Sequence, residues 1–248
     1  MDRASESLKV RLPPQDFNEF MRRLEEIKEM GYVKTHRHGP TGIGKTLEDI
    51  LGIKENNVPG PDAAMLELKS ARKGSQSMMT LVTKAPLPRG ANSRLLQSYG
   101  YGVPKELHIT LEKPGSWTKV KGNPAFKLDL KSDRIEIVSL DGATLAFWSD
   151  KVLKEVFERK YPALAYVKAD CKGNEQDEEF QYNEAWYLKD FNFDKIKELI
   201  RDGIIRVDVR IGRYRSGKLK GKPHDHGTGF RIFEDKFDLC FRERKRLI

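Results

Sequence analysis

Apolar residues near the start of the chain recur at the spacing of an α-helix, and a glycine follows them. The positions that would share one helical face are Phe17, Phe20, Met21, Leu24 and Ile27, with Gly31 as the stop signal. The same spacing predicts helices over residues 45–51 and 150–160, and another that Asn192 would cap and Gly203 would end. Each would bury one apolar stripe and leave the opposite stripe to solvent.

Between these helices lie short segments bounded by glycine, proline or aspartate, as is typical of strands. The predicted strands are residues 65–69, 78–83, 107–111, 126–130, 134–140, 163–170, 180–188 and 204–211. Residues 85–92 and 113–124 carry the prolines and glycines of loops, and a short strand and a terminal helix are expected to close the chain. This mixed order predicts an α/β fold with a central mixed β-sheet flanked by helices.

The charge of the chain favours a polyanionic partner. Its 248 residues contain 46 Lys and Arg against 37 Asp and Glu, a formal net charge of +9, which points to nucleic acid before membrane. Cys171 and Cys240 are too few for a disulfide framework or a four-thiolate zinc site. No apolar run approaches the ~18 residues of a membrane span, and the first residues lack the features of a signal peptide. We therefore expect a cytoplasmic protein with no membrane partner.

The most informative segment is Pro61-Asp62 followed by Glu67-Leu68-Lys69, the PD-(D/E)xK pattern of metal-dependent nucleases. Side chains alternate between the faces of a strand, so Glu67 and Lys69 would share one face. Asp62, Glu67 and the Leu68 carbonyl offer the oxygen ligands that Mg²⁺ prefers, and Mn²⁺ is expected to substitute. Lys69 would hold the attacking water and stabilise negative charge. The alternative is a half-buried strand that carries an ordinary Glu–Lys pair.

Glu48 is a further candidate acid. It would lie on the predicted helix just before the Asp62 segment, from which it could approach Asp62 and Glu67. The alternative is a solvated helical glutamate beside Asp49.

Residues 39–46 satisfy the G-x-x-x-x-G-K-[ST] pattern of a phosphate-binding loop. Such a loop needs a buried parallel strand before it, whereas residues 32–38 are largely polar. A second nucleotide-binding motif at residues 204–208 is interrupted by Arg206. We therefore favour a glycine-rich turn that starts a helix and places Lys45 near a DNA phosphate.

Residues 210–231 form a basic, glycine-rich segment that contains two histidines. The side chains expected to contact phosphates or bases are Arg210, Arg213, Arg215, Lys218, Lys220, Lys222, His224, His226 and Arg231. Among these, arginine can offer two donors to guanine O6 and N7. A zinc site is the alternative, since two histidine pairs offer four ring nitrogens, those of His36, His38, His224 and His226.

Taken together, these segments resemble the MvaI/BcnI family of type II restriction endonucleases, with MvaI the more similar member. The resemblance rests on blocks in the same order over most of the chain, at residues 41–51, 61–69, 81–84, 88–92, 207–212, 216–218 and 224–232. Residues 105–160 resemble the family only weakly. The family is also similar to the mismatch-repair nicking enzyme MutH, which likewise places a helical glutamate ahead of the Asp…Glu-x-Lys set.

The resemblance implies a PD-(D/E)xK restriction-endonuclease-like core with a second DNA-recognition lobe. Asp62 and Glu67 match the metal-binding acids, Lys69 the catalytic lysine and Glu48 the accessory acid. The segment from His224 to Arg231 matches the recognition region, and Arg89 lies in another matching block.

The same resemblance implies a monomer that clamps double-stranded DNA, reads CC-x-GG sites with a degenerate centre and nicks one strand at a time. A cognate DNA methyltransferase would be its functional rather than physical partner. We expect a catalytic region over residues 1–110 and a recognition lobe over residues 111–248, with a boundary at which the lobes can interleave. The alternatives are a MutH-like, sequence-specific nicking enzyme of mismatch repair and a catalytically silent DNA-binding or nucleotide-binding module.

Overall fold

The computed structural model describes residues 12–53, 66–161, 163–174, 177–225 and 227–248. The helices among them are α1 (Phe17–Glu29), α2 (Gly42–Leu51), α3 (Ala91–Tyr99), α4 (Asp150–Lys160) and α5 (Phe193–Arg201), with a 3₁₀ helix at Glu234–Cys240. The strands are β1 (Val33–Lys34), β2 (Glu67–Arg72), β3 (Met78–Thr83), β4 (Leu107–Leu111), β5 (Thr118–Val120), β6 (Asn123–Leu130), β7 (Arg134–Ser139), β8 (Thr144–Ser149), β9 (Ala163–Lys172), β10 (Glu179–Phe191), β11 (Ile205–Arg213), β12 (Pro223–Asp225), β13 (Gly229–Phe233) and β14 (Phe241–Arg246).

The chain folds into two compact units, and it passes between them more than once. Unit 1 takes Met1–Ser75, Pro162–Asp190 and Phe241–Ile248, and unit 2 takes Gln76–Tyr161 and Phe191–Cys240. The expected boundary between residues 110 and 111 therefore falls inside unit 2, at the end of β4. The division into a catalytic and a recognition part stays a prediction.

Unit 1 is built on a mixed sheet in the order β1-β10-β9-β2, with β14 also paired to β10. β2 runs parallel to β9, whereas β9 and β1 pair antiparallel with β10. The residues that join α1 and α2 to one face of this sheet include Phe20, Leu24, Leu47, Leu68, Val167 and Phe180. α1 begins where the Asp16 side chain accepts a hydrogen bond from the Glu19 N–H over 2.8 Å. The helices α1 and α2 thus cover one face of this sheet.

Unit 2 contains two sheets. In the first, one edge of β11 pairs with β4. The other edge pairs with β13 at Ile205–Asp208 and with β12 at Ile211–Arg213. β3 lies beyond β13. The second sheet is an antiparallel meander in the order β5-β6-β7-β8. Fully buried aromatic side chains form much of the core of this unit, among them Phe126, Trp148, Phe157, Phe230 and Phe237.

The structure confirms the mixed α/β prediction and most of the predicted elements. Asn192 caps α5 as expected, since its side chain accepts from the Lys195 N–H. The expected terminal helix is wrong, because β14 ends the chain as a charged strand paired with β10. Charged side chains suit a strand at the edge of a sheet. The predicted loops are also partly wrong, since α3 begins at Ala91 and β5 lies within residues 113–124.

The strand β8 was not predicted either, and it completes the meander beside β7. Among the described residues, no helix is both long and apolar enough to cross a membrane.

Candidate functional site

The Glu-x-Lys segment forms the first half of β2, and its side chains alternate between the faces of the unit 1 sheet. Leu68 is 8% exposed and belongs to the core that α1 and α2 cover. Glu67 and Lys69 therefore lie on the opposite face, where Lys69 Nζ donates a hydrogen bond to Glu67 Oε1 over 2.9 Å. The Glu67 side chain is 37% exposed, and the Lys69 side chain is 26% exposed. A carboxylate and an ammonium group share one accessible face, as the sequence predicts.

Further charges continue this face across the sheet. Lys168 of β9 lies on the same face as Lys69 in the parallel register, and Glu184 of β10 lies opposite Lys168. Glu184 Oε1 is 3.6 Å from Lys168 Nζ and accepts a hydrogen bond from Trp186 Nε1 over 2.7 Å. Burial raises the pKa of Glu184, but the Trp186 hydrogen bond and the nearby lysines outweigh burial and lower the pKa overall. Glu184 is thus held ionised beside the lysines.

Of the two other acids predicted for this site, Asp62 and Glu48, the structure describes only Glu48. Asp62 lies outside the described residues. Glu48 lies partly buried on α2, the helix that packs against β2. Within the described ranges, no group of three or more His, Cys, Asp or Glu side chains is placed to hold a metal ion. The described part of the predicted metal site is therefore Glu67 with the Leu68 carbonyl.

The glycine-rich turn at residues 39–46 lacks the geometry of a phosphate-binding loop. The strand before it, β1, has two residues and pairs antiparallel with β10, whereas such a loop follows a buried parallel strand. Thr46 is fully buried, and its Oγ1 accepts a hydrogen bond from the His36 N–H over 2.9 Å. Lys45 is paired with Asp49 over 2.8 Å. The hydroxyl that would serve Mg²⁺ in a phosphate loop instead braces the turn, and contact of Lys45 with DNA stays a prediction.

A second polar face lies on the unit 2 sheet, where β11 alternates strictly. Its fully buried residues are Ile205, Val207, Val209 and Ile211. The residues between them, Arg206, Asp208 and Arg210, project to the other face. Their neighbours on that face are Thr110 of β4, opposite Asp208, and Arg231 of β13, opposite Arg206. Strand pairing therefore gathers four charged residues on one side of the sheet.

Asp208 is the centre of this face. Its side chain is 4% exposed, and Oδ1 accepts a hydrogen bond from Thr110 Oγ1 over 2.7 Å. Oδ2 accepts from Arg210 Nη2 over 2.7 Å and from Arg231 Nη1 over 2.9 Å. Burial raises the pKa of Asp208, but the hydrogen bonds from Thr110, Arg231 and Arg210 outweigh burial and lower it overall. One ionised carboxylate thus holds two guanidinium groups side by side.

The two arginines differ in how far they reach solvent. The Arg210 side chain is 50% exposed, and the Arg231 side chain is 24% exposed. Arg231 also donates to the Met78 carbonyl. A guanidinium carries five N–H groups, so neither arginine spends all of its donors on these contacts. Arg210 has more of its donors open to a ligand on this face, whereas the Nε of Arg231 is buried.

The basic segment between β11 and β12 is a closed hairpin. The Tyr214 N–H donates to the Lys222 carbonyl over 3.0 Å, and the Gly221 N–H donates to the Tyr214 carbonyl over 2.9 Å. Arg213 reinforces the closure through a 2.6 Å hydrogen bond to the Gly221 carbonyl. The charged side chains at its exposed positions are Arg215, Lys218, Lys220 and Lys222. Arg89, just before α3, is exposed as well.

His224 lies on β12 opposite Gly212 of β11. Its ring stacks on Tyr214, with the ring centroids 4.1 Å apart, whereas the ring of His36 contacts Asp49. His226 lies outside the described residues. The contacts of these two described histidines are ordinary protein contacts, so they give the zinc alternative no support.

Sequence reasoning finds the arginines of the second face but misses the residue that organises them. It places Asp208 in an interrupted nucleotide-binding motif and in a block of family resemblance, but gives it no role of its own. The alternation of charged with aliphatic residues over 205–211 is the signal that identifies it. Thr110 has no comparable signal, because only the pairing of β4 with β11 brings it to Asp208.

Comparisons with known proteins agree with one another. A sequence model described as the MvaI/BcnI restriction endonuclease family matches residues 21–241. The chain is similar to the solved complex of restriction endonuclease MvaI with its cognate DNA substrate, at 34% identity and a TM-score of 0.68, over 93% of this chain and 98% of that one. It is also similar to MvaI in the absence of DNA, at 32% identity and a TM-score of 0.64, over 100% of both chains. No curated protein sequence matches it.

These matches bear on the whole chain rather than on a single motif. The structural likeness confirms the PD-(D/E)xK-type fold that the sequence predicts. The matched residues include the Glu67–Lys69 pair and the Asp208 face. The chain belongs to the MvaI/BcnI restriction endonuclease family and is a site-specific endonuclease.

Proposed function

We infer that Glu67 and Lys69 form the catalytic centre of this endonuclease, and that it hydrolyses phosphodiester bonds of double-stranded DNA with Mg²⁺. The observation that carries this proposal is the 2.9 Å contact between Lys69 Nζ and Glu67 Oε1 on an accessible sheet face. On an arbitrary strand such a pair would be ordinary. Here it lies in the Glu-x-Lys segment of a restriction endonuclease, where an acid can bind a metal ion and an ammonium group can stabilise charge on the phosphate.

The donor atoms fit a hard divalent cation. Asp62, Glu67 and the Leu68 carbonyl would hold it, and carboxylate and carbonyl oxygens are the ligands that Mg²⁺ prefers. When bound, the ion supplies Lewis-acid polarisation of the phosphate and a lower pKa for a bound water. Mn²⁺ is expected to substitute because it also favours oxygen ligands. Glu48 is the accessory acid of this set.

The residues themselves contribute position and charge. Lys69 orients the attacking water and stabilises the negative charge that grows on the phosphate during attack. Glu67 holds the Lys69 ammonium group through their hydrogen bond. Leu68 anchors the strand in the core, so that both side chains are presented from a fixed backbone.

Arg210 and Arg231 read the DNA sequence in this proposal. Each guanidinium can offer two donors to guanine O6 and N7, and their shared contact with Asp208 Oδ2 places the two groups beside each other. That arrangement suits two neighbouring guanines, as in a CC-x-GG site. His224 and His226 supply further contacts to the bases.

The remaining basic residues contact the DNA backbone and set the register without carrying sequence information. They are Lys45, Arg89, Arg213, Arg215, Lys218, Lys220 and Lys222. The hairpin between β11 and β12 holds most of them on a closed backbone loop. Their contribution is therefore electrostatic and sensitive to salt.

The resemblance to the family supports a monomer that acts in the cytoplasm. A cognate DNA methyltransferase would protect the host sites and act as a functional, not physical, partner. Light scattering tests the oligomeric state, and a mass near the 28.5 kDa of one chain is expected.

Incubation with phage or plasmid DNA and Mg²⁺, followed by sequencing of the fragment ends, tests the proposal. We expect cuts at a CC-x-GG sequence, no requirement for a nucleoside triphosphate, and arrest by a chelator. Lys69→Ala should lower the cleavage rate by about 100-fold or more. Lys34→Ala is the control, since it removes an exposed lysine from another strand of the same sheet. Undiminished cutting by Lys69→Ala would remove the catalytic assignment.

A further inference from the structure

The strands that carry His224 and Arg231 contain one more residue between them than their partner strand does. His224 lies opposite Gly212, and Arg231 lies opposite Arg206. The first two residues are seven positions apart, whereas their partners on β11 are six apart. β4 occupies one edge of β11. The residues of β11 that pair with β4 also include partners of β13 and of β12, so β13 and β12 both lie along the other edge of β11. The junction between Asp225 and Gly229 therefore has one residue more than the stretch of β11 that it faces, and we refer to this junction as the bulge.

This bulge decides which face the two side chains occupy. Residues seven positions apart on an uninterrupted strand point to opposite faces. With the extra residue, both lie on the face of Asp208. Arg231 contacts that carboxylate over 2.9 Å, and His224 lies opposite Gly212, two positions beyond Arg210 on the same face of β11. Without the bulge, only one of the two could face the same ligand.

Asn92, on the first turn of α3, holds both sides of the bulge. It is 3% exposed, and Nδ2 donates to Asp225 Oδ2 over 2.9 Å and to Thr228 Oγ1 over 3.0 Å. Asp225 Oδ1 accepts from the Gly227 N–H over 2.8 Å. The carboxylate fixes the orientation of the amide, because an amide oxygen turned toward it would be repelled. Asn92 thus joins the last residue of β12 to the residue just before β13.

The bulge also leaves no room for a side chain at Gly227. That glycine has a φ of +84°, and a Cβ there would lie 2.1 Å from Thr83 Cγ2. The neighbouring Thr228 carbonyl accepts a hydrogen bond from the Lys84 N–H over 2.9 Å. The bulge is therefore fixed on the side of β3 as well as on the side of α3.

We propose that Asn92 is a positioning residue for DNA recognition. By holding Asp225 and Thr228 it fixes the bulge that brings His224 and Arg231 to one face. Asn92 acts through these residues and does not itself contact DNA. This inference rests on the proposed reading of bases by that face.

A charge exchange tests the proposal. Asn92→Asp sets two carboxylates against each other, because its oxygen replaces an N–H donor 2.9 Å from Asp225. Adding Asp225→Asn restores the hydrogen bond with the roles exchanged, because the new amide at position 225 donates to the carboxylate at position 92. Its amide oxygen can still accept from the Gly227 N–H. The double variant should therefore recover what the single variant loses, as in a double-mutant cycle.

The readout is the ratio of kcat/KM for a duplex carrying the mapped site to that for duplexes changed by one base pair. Asn92→Asp should lower this ratio by about 10- to 100-fold, and the exchange should restore most of it. Thr228→Val, which keeps the side-chain shape but removes one partner of Asn92, should lower the ratio less. Asn123→Asp makes the same charge change at an exposed position and should leave the ratio unchanged.

Two results would overturn the proposal. One is an unchanged ratio in Asn92→Asp. The other is an equal fall in kcat/KM on every duplex, without recovery in the double variant, which indicates a role in folding alone. If the parent enzyme itself fails to discriminate between duplexes, the proposed function is wrong instead, so the two failures are distinguishable.

Discussion

The two polar sheet faces are built from contacts of very different range. On the unit 1 sheet, Lys69 and Glu67 are two positions apart on one strand. On the unit 2 sheet, Asp208 is bound by Arg231, 23 positions away, and by Thr110, 98 positions away. The first face is encoded in a tripeptide. The second exists only after distant strands pair.

The faces differ in burial as well. Glu67 and Lys69 are partly exposed, whereas the Asp208 side chain is 4% exposed and accepts hydrogen bonds from three side chains. A buried carboxylate that satisfies two guanidinium groups is a coupled network, whose loss costs more than any single contact. Loss of the Asp208 charge should therefore disturb Arg210 and Arg231 at once.

The largest expected effect is on the first face, from Glu67→Gln. This change keeps the shape of the side chain but removes the charge that we propose binds the metal and that pairs with Lys69. Cleavage of the mapped site should fall by about 100- to 1000-fold, while the Kd for the same duplex changes little. A chelator should reproduce the loss of cleavage in the parent enzyme. Full cleavage by Glu67→Gln would contradict the proposed role of this face.

The next effect is on the second face, from Asp208→Asn. The amide cannot neutralise Arg210 and Arg231, so their guanidinium groups are no longer fixed beside each other. Losing a good bidentate base contact removes about 1–3 kcal/mol of discrimination, so the ratio of Kd for an altered duplex to that for the mapped site should shrink by about 10-fold or more. Asp202→Asn, the same change at an exposed position, is the control. Equal discrimination by both variants would show that the bases are read elsewhere.

A smaller and less specific effect is expected at the hairpin. Replacing Lys218, Lys220 and Lys222 with alanine should weaken binding of specific and random DNA about equally, because these residues are exposed and suited to phosphates. Each lost phosphate contact should flatten the plot of log K against log salt by about 0.9. Titrations at several salt concentrations measure the slope. An unchanged slope would place the hairpin away from the DNA backbone.

The smallest effect concerns stability and pH. The folded-state pKa of Asp208 lies below its ordinary value of 3.8, so the ionised form stabilises the fold above that value, and this stabilisation is lost as the pH falls through the folded-state pKa. The free energy of unfolding of the parent should therefore exceed that of Asp208→Asn by more at pH 7 than at pH 3. Denaturant titrations at both values measure the difference. A gap that is the same at both would contradict the lowered pKa.

Periodicity predicts those elements whose own sequence repeats clearly. The limits of β3, β4 and α4 agree with the predicted ones. β4 alternates and α4 has helical spacing, whereas β3 is a short run of apolar and β-branched residues. α3 was missed since few of its residues are apolar and buried, and its start follows a proline–glycine turn. The charged segment of β14 is equally compatible with a helix, and only its pairing with β10 makes it a strand.

The same distinction holds for the candidate sites. The spacing of Glu67 and Lys69 fixes their common face once a strand is assumed, and the structure confirms it. The link between Asn92 and Asp225 spans 133 positions, and the bulge it holds is visible only in the strand register. Local patterns cannot specify a contact that depends on which strands pair and at what offset.

The most direct test of the separation between the two faces compares Lys69→Ala with Asp208→Asn side by side. Binding of the mapped duplex and of a duplex changed by one base pair would be measured for both variants at one salt concentration, together with single-turnover cleavage at saturating enzyme. We predict that Lys69→Ala keeps the parental ratio of dissociation constants but does not cut, and that Asp208→Asn loses the ratio but still cuts. If Lys69→Ala loses discrimination and Asp208→Asn keeps it, the two faces do not divide catalysis and recognition between them.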